Sequence, residues 1–140
     1  MRVFFDINVL LDIGLARKPH ENASRVAFEF CDEPGYTRWA AWHSMSTISY
    51  IMGRSKGASA ARQFINDLAA TMEIAVTGTD ELLHALSLPM TDFEDAMQLS
   101  AATACAAAII VTRDAGDFAA SPIRVCTPEE FIALHPTSSP

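Results

Sequence analysis

Residues 3–12 of the chain read VFFDINVLLD, and they encode its first strand and its first helix. The three apolar residues at the start favour a short buried strand, which ends where Asp6 interrupts the run. The apolar residues after Asn8 predict a helix that ends near Pro19, with Asn8 as its candidate N-cap. A buried strand that leads into a helix in this way is typical of a parallel sheet, whose working site lies beyond the carboxyl ends of its strands.

Strands and helices alternate along the rest of the chain. Strands are predicted over 36–42, 74–76, 109–111 and 123–125, and helices over 21–31, 43–52, 58–71, 80–86 and 91–108. Gly53 is the expected stop of the third helix, and Thr127 with Pro128 opens a last one. The pattern predicts an α/β fold, a three-layer α/β/α sandwich with a central, mostly parallel sheet. We expect one domain over 1–134 and a loose tail over 135–140.

Composition excludes several classes of protein. The 140 residues are half hydrophobic and carry a net charge of −7, which argues against binding nucleic acid through overall charge. Three cysteines without a CxxC pair favour a reducing cytoplasm over a disulfide framework, and four dispersed histidines, expected at the surface or in packing, lack zinc-ligand spacing. We read no secretion signal, membrane span or glycine-rich nucleotide loop in the chain.

Acidic residues occur in three segments that the predicted sheet brings to one edge. These acids are Asp6, then Asp92, Glu94 and Asp95, and finally Asp114 and Asp117. Like charges gathered in this way repel one another, and a hard cation removes that cost. We therefore expect Mg²⁺ or Mn²⁺. Without these six acids, eleven acids remain against ten bases, so the rest of the chain carries only −1.

Some of these acids also have a purely structural interpretation. Thr91 and Glu94 have the spacing of a capping box, in which Glu94 serves the helix alone, and Asp92 complements the helix dipole. Asp95 falls at the fourth helical position on the buried stripe, where a carboxylate needs a partner, so a metal or catalytic role is favoured. Asp6 can accept hydrogen bonds from the next helix, and acids beside Gly116 are common in turns.

Three motifs in order carry a family resemblance over nearly the whole chain. They are DINVLLD at 6–12, TDFEDAMQ at 91–98 and VTRDAGDF at 111–118. The chain resembles PIN domains, in particular the small prokaryotic PIN proteins that include VapC-type toxins. The resemblance implies an α/β/α sandwich, RNA cleavage that depends on Mg²⁺ or Mn²⁺, homodimers and, for toxins, a cognate antitoxin that blocks the site.

Roles for individual residues follow from the resemblance. The implied catalytic acids are Asp6, Asp95, Asp114 and Asp117, and the implied metal ligands are Asp6, Asp92, Asp95 and Asp114. Asn8 matches a residue that orients the first loop, and Thr112 belongs to the last motif as a supporting residue. Thr47 stands where the family usually has a glutamate, so Thr47 would offer only a hydroxyl. Two alternatives stay open: Asp92 compensates from the start of the neighbouring helix, or the site holds one ion loosely.

Two functions remain open, and a third is disfavoured. The first is a metal-dependent endoribonuclease, and the alternative is a catalytically weakened PIN-like module that binds RNA or protein. Phosphoryl transfer through an aspartyl intermediate also uses an acid at the end of a first strand. Enzymes of that kind want a second Asp where Asn8 stands, or a Lys after a late strand where Arg113 stands.

Overall fold

The computed structural model describes residues 1–135 and contains one parallel sheet between two layers of helices. Its strands are β1 (Arg2–Phe5), β2 (Thr37–Ala40), β3 (Glu73–Ile74), β4 (Ile109–Val111) and β5 (Arg124–Cys126). Its α-helices are α1 (Ile7–Gly14), α2 (Glu21–Phe30), α3 (Trp42–Lys56), α4 (Ala58–Thr71), α5 (Thr79–Ser87), α6 (Phe93–Ala104) and α7 (Pro128–Leu134). A 3-10 helix covers Ala115–Phe118. The predicted three-layer fold is confirmed.

The strand order β3-β2-β1-β4-β5 determines where a site can form. After β1, the next two strands, β2 and β3, are added on one side of it, and β4 and β5 are then added on the other side. Phe5 pairs with Val111, so β1 and β4 end side by side. Ligand sites of such sheets lie in the crevice at this change of direction. Asp6 and Thr112 are the first residues beyond the two strands.

Each face of the sheet has its own hydrophobic core, because neighbouring residues of a strand point to opposite faces. Val3 and Phe5 pack on the side of α1–α4 and α7, while Phe4 packs on the side of α6 and the 3-10 helix. β4 is likewise buried along its whole length. Buried runs of this kind explain why short strands were recognisable in the sequence.

Several predicted boundaries are wrong by a few residues. Helix α3 continues through Gly53 and ends before Gly57, whose φ of 94° suits glycine at the stop. Helix α6 begins at Phe93, two residues later than expected, and ends at Ala104. Helix α1 begins at Ile7 with Asp6 rather than Asn8 as its N-cap.

The C-terminal helix confirms its predicted cap. The Thr127 hydroxyl accepts a hydrogen bond from the Glu130 amide at 3.1 Å, and the Glu130 carboxylate accepts one from the Thr127 amide at 3.2 Å. His135, the first residue of the expected tail, packs its ring 4.9 Å from that of Phe131. Residues 136–140 lie outside the described part of the chain. Within residues 1–135, no helix combines the length and apolar character needed to cross a bilayer.

Candidate metal centre

Asp6 is the most deeply buried carboxylate of the site. Its side chain is 2% exposed and lies just beyond β1. Oδ1 accepts a hydrogen bond from the Ile7 amide at 2.9 Å, and Oδ2 accepts one from the Thr112 hydroxyl at 2.9 Å. Asp6 is therefore the cap of α1 and also part of the crevice, so the structural and functional interpretations of this residue are compatible.

Thr112 connects Asp6 to the acidic segment that follows β4. The buried Thr112 donates its amide to the Cys126 carbonyl at 3.0 Å, which extends the pairing of β4 with β5 by one residue. Its hydroxyl also accepts a hydrogen bond from the Asp114 amide at 3.2 Å. One threonine thus joins the ends of both strands, and Asp114 and Asp117 follow it on exposed positions.

The start of α6 differs from the predicted capping box. Asp92, not Thr91, is the N-cap, and its Oδ1 accepts a hydrogen bond from the Asp95 amide at 3.0 Å. Aspartate at this position satisfies a free amide and complements the helix dipole, which explains the shift by one residue. Asp95 is consequently the third helical residue and is half-buried, whereas Glu94 is released from capping.

Glu94 instead belongs to a network that the sequence did not reveal. Its Oε1 lies 3.1 Å from Nε2 of His43 and 2.7 Å from Nε2 of Gln98. Gln98 is fully buried, and its Nε2 is also 2.8 Å from the Ser44 hydroxyl. His43 therefore lies beside the site, contrary to its expected role as a surface or packing residue. The available signal was Gln98, a polar residue on the buried stripe one turn after Glu94.

The acids of the three segments act on one another electrostatically. Burial raises the pKa of Asp6 to about 7, the Thr112 hydroxyl opposes this shift, and the charges of Glu94 and Asp95 add to it. Burial also raises the pKa of Asp95 to about 6, with further contributions from its acidic neighbours, which are Asp92, Glu94, Asp117 and Asp114. These six acids are called the acidic cluster below, and their role as one site stays a prediction.

The acidic cluster supplies the donors that a hard divalent cation prefers. One carboxylate oxygen from each of Asp92, Glu94 and Asp95 lies within 4.8 Å of the others. Asp92, Asp95 and Asp117 also line an open cleft of about 320 Å³. Mg²⁺ and Mn²⁺ favour such all-oxygen sites and keep some of their water, so the residues present fit an ion of this kind.

Two of the supporting residues make no clear contribution to the cluster. Asn8 is the second residue of α1 and is half-buried. The Thr47 hydroxyl lies 3.5 Å from the His43 carbonyl, one turn back within α3, and reaches no carboxylate among residues 1–135. Its expected place as a hydroxyl near the site remains a prediction.

A comparison with protein families matches residues 2–116 to the PIN domain. The chain belongs to the PIN domain family. The matched range contains β1 to β4 and every acid of the cluster except Asp117. No curated protein sequence is significantly similar to this PIN domain.

Solved structures share the fold of this PIN domain at low sequence identity. A VapBC2 structure from Rickettsia felis, bound to a DNA fragment from its promoter, matches with a TM-score of 0.72 and 15% identity, over 91% of this chain and 98% of that one. VapBC-1 from nontypeable Haemophilus influenzae matches with a TM-score of 0.70 and 12% identity, over 92% and 99%. FitAcB from Neisseria gonorrhoeae matches with a TM-score of 0.62 and 12% identity, over 91% and 98%.

Proposed function

We propose that this PIN domain is an endoribonuclease that cleaves RNA phosphodiester bonds with Mg²⁺ or Mn²⁺ in the acidic cluster. The observation that carries the proposal is the state of Asp6, which is buried at the carboxyl end of β1 among other acids that raise its pKa. Burial and like charges both disfavour an ionised carboxylate, and a bound cation would offset that cost.

The proposed ligands are Asp6, Asp92, Asp95 and Asp114, and Glu94 is a further candidate. A bound divalent ion would lower the pKa of a water molecule and stabilise charge on a phosphodiester oxygen. The chain's own contribution is orientation, because the Ile7 amide and the Thr112 hydroxyl hold both oxygens of Asp6. Asp117 faces the same cleft as Asp95, where it can orient a water molecule for attack.

A role as the toxin of a toxin-antitoxin pair follows from the resemblance to VapC-type proteins. The VapBC and FitAcB names of the structural neighbours support it. We accordingly propose a cognate antitoxin as partner, and a cytoplasmic location that suits three buried free cysteines. Coexpression with a small open reading frame directly upstream would test the pairing, since an antitoxin should copurify with the chain and suppress its toxicity.

The resemblance also implies a homodimer. Several apolar side chains on α3, α5 and α6 are available for such a contact, because Trp42, Leu86 and Phe93 are 70%, 63% and 44% exposed. Sedimentation of the purified chain would decide between a monomer of 15.2 kDa and a dimer.

The alternative function is a PIN-like module that binds RNA or protein without cleaving it. Thr47 speaks in its favour, because the resemblance implies a glutamate at this position and the Thr47 hydroxyl instead donates to the His43 carbonyl of its own helix. Mn²⁺ titration separates the two functions, because an ion that binds the folded state raises the melting temperature. A melting temperature that does not respond to millimolar Mg²⁺ or Mn²⁺ would favour the binding module.

The cleavage assay uses single-stranded and structured RNA with Mg²⁺ or Mn²⁺, and it compares the wild type with Asp6→Asn and Asp95→Asn. We expect either substitution to lower the rate at least about 100-fold, since each removes a proposed ligand. The matched control is Asp67→Asn, because Asp67 is an exposed acid on α4 outside the cluster. Cleavage at equal rates by all four proteins would refute the assignment.

A further inference from the structure

Asp12 is a second buried acid of α1, and it lies outside the acidic cluster. Its side chain is 0% exposed, which makes it as inaccessible as any apolar residue of the core. Its Oδ2 lies 2.7 Å from Nε of Arg113 and 3.4 Å from the Ser24 hydroxyl. Arg17 approaches the other oxygen at 3.9 Å. The Arg113 N–H does not point directly at Oδ2, so this contact is an ion pair rather than a linear hydrogen bond.

Arg113 connects this buried acid to the proposed metal centre. It stands between Thr112, whose hydroxyl holds Asp6, and Asp114, whose amide bonds to the same hydroxyl. The segment 112–114 is thus fixed from both ends of α1, by Asp6 at its N-cap and by Asp12 in its last turn. The two contacts hold consecutive residues, because Asp6 binds Thr112 and Asp12 binds Arg113.

Stability alone does not account for this ion pair, in which Asp12 is fully buried and the Arg113 side chain is 24% exposed. Removing two charges from water costs about as much as their attraction returns, and apolar residues of similar size often do as well or better. An ion pair does restrict the positions of its two side chains, because each charge is compensated only where it lies close to the other. Some residues orient metal ligands without touching the metal. Replacing such a residue commonly lowers metal affinity about 10- to 100-fold.

We propose that Asp12 and Arg113 are positioning residues, whose ion pair fixes the segment 112–114 so that Thr112 and Asp114 are set for a divalent cation. This inference rests on the proposed metal centre. It assigns no contact with the ion or with RNA to either residue. Its consequence is that the affinity for the ion depends on a pair of side chains outside the acidic cluster.

Mn²⁺ binding measured by electron paramagnetic resonance tests the proposal with three variants: Asp12→Asn, Arg113→Gln and the double variant. We expect each to weaken Mn²⁺ binding about 10-fold or more. A purely electrostatic effect on the ion predicts another result. Loss of the Asp12 charge would then weaken Mn²⁺ binding, and loss of the Arg113 charge would tighten it. The double variant, which has the same net charge as the wild type, would bind Mn²⁺ like the wild type. That second pattern would overturn the positioning role.

The matched control is Asp32→Asn, which removes the acid of another Asp–Arg pair, that of Asp32 with Arg38 at 2.5 Å. We expect this variant to bind Mn²⁺ like the wild type. Circular dichroism checks that each variant folds. If the single variants unfold, the double variant still decides, because it leaves neither charge buried without its partner.

Amide hydrogen exchange of the metal-free protein separates this inference from the proposed function. The amides of Thr112 and Asp117 donate to carbonyls at 3.0 and 2.9 Å in the wild type. We expect them to exchange about 10-fold faster in the double variant than in Asp32→Asn, because local opening becomes easier. Unchanged exchange would overturn the positioning role. A wild type that binds no Mn²⁺ would instead refute the proposed metal centre.

Discussion

Two buried charged residues at opposite ends of the sheet, Arg38 and Asp6, have opposite surroundings. At the amino ends of the strands, Arg38 is 6% exposed, pairs with Asp32 and donates to the Phe28 carbonyl at 2.8 Å. Its guanidinium also lies 4.3 Å from the centre of the Phe28 ring. At the carboxyl ends, Asp6 is equally buried, and the charged neighbours that shift its pKa are other acids. The charge of Arg38 is thus compensated within the chain, whereas the charges around Asp6 have its own sign.

This difference shows that the chain is able to compensate a buried charge and does not do so at the acidic cluster. Stability is best served by the arrangement around Arg38, where carbonyls, a carboxylate and an aromatic ring surround the cation. The arrangement around Asp6 costs stability until a proton or a cation arrives. Substitutions of Asp6 and of Arg38 should therefore differ in how they change stability and Mn²⁺ affinity.

The largest expected effect is a dependence of metal-free stability on pH. Burial raises the pKa of Asp6 from its ordinary 3.8 to about 7, so between these pH values the folded state holds a proton that the unfolded state has lost. The contribution of Asp6 to stability is therefore fully present below about pH 4 and is lost as pH rises from about 4 to 7, which amounts to about 4 kcal/mol. Urea unfolding across this range measures the loss.

Divalent cations should reverse that loss at neutral pH. We expect Mg²⁺ or Mn²⁺ to raise the melting temperature more at pH 7.5 than at pH 5, because protons compete for the same carboxylates. Asp6→Asn should reduce the metal-free pH dependence and leave the smaller part that comes from Asp95. A metal-free stability that rises between pH 5 and 7 would contradict the raised pKa of Asp6.

An intermediate effect is expected at the opposite end of the sheet. Arg38→Met removes the hydrogen bonds to the Phe28 and Thr71 carbonyls and the contact with the Phe28 ring. We expect the free energy of unfolding to fall by about 2 kcal/mol, since both partners are left unsatisfied. Mn²⁺ affinity should stay the same. A change in that affinity would show that the two ends are not independent.

The smallest effect is expected from Thr112→Val, which keeps the shape of the side chain and removes its hydroxyl. That hydroxyl lowers the pKa of Asp6, so its loss should raise this pKa further and cost about 1 kcal/mol of Mn²⁺ binding near neutral pH. The pH midpoint of Mn²⁺ binding should move upward. A midpoint that stays in place would mean that the Thr112 bond does not tune Asp6.

Local patterns allowed much of the fold to be predicted. The buried strand Ile109–Val111 and the helix Ala58–Thr71 were predicted with their observed bounds, because continuous apolar runs and helical spacing act over a few residues. The expectation that the three acidic segments lie at one edge of the sheet followed from the rule that the sites of parallel sheets lie beyond the carboxyl ends of their strands. The choice of cap at α6 was missed by one residue, since Thr91 and Asp92 are both good caps and tertiary packing decides between them.

The contacts around the acids could not be predicted, because they join residues far apart in the chain. Gln98 meets Ser44 across 54 positions, and Thr112 meets Asp6 across 106. No periodicity records such pairs, since they depend on how helices pack against the sheet. The contact of His43 with Glu94 was missed for the same reason, because a single histidine at the start of a helix has no informative spacing.

The double duty of Asp6 makes the proposed activity easy to lose without loss of the fold. Asparagine caps helices about as well as aspartate does, so Asp6→Asn should keep the start of α1 while it removes the central negative charge. A single G-to-A change in an aspartate codon produces this substitution. A single mutation therefore separates the proposed active form from an inactive form whose outer surface is still intact for a partner.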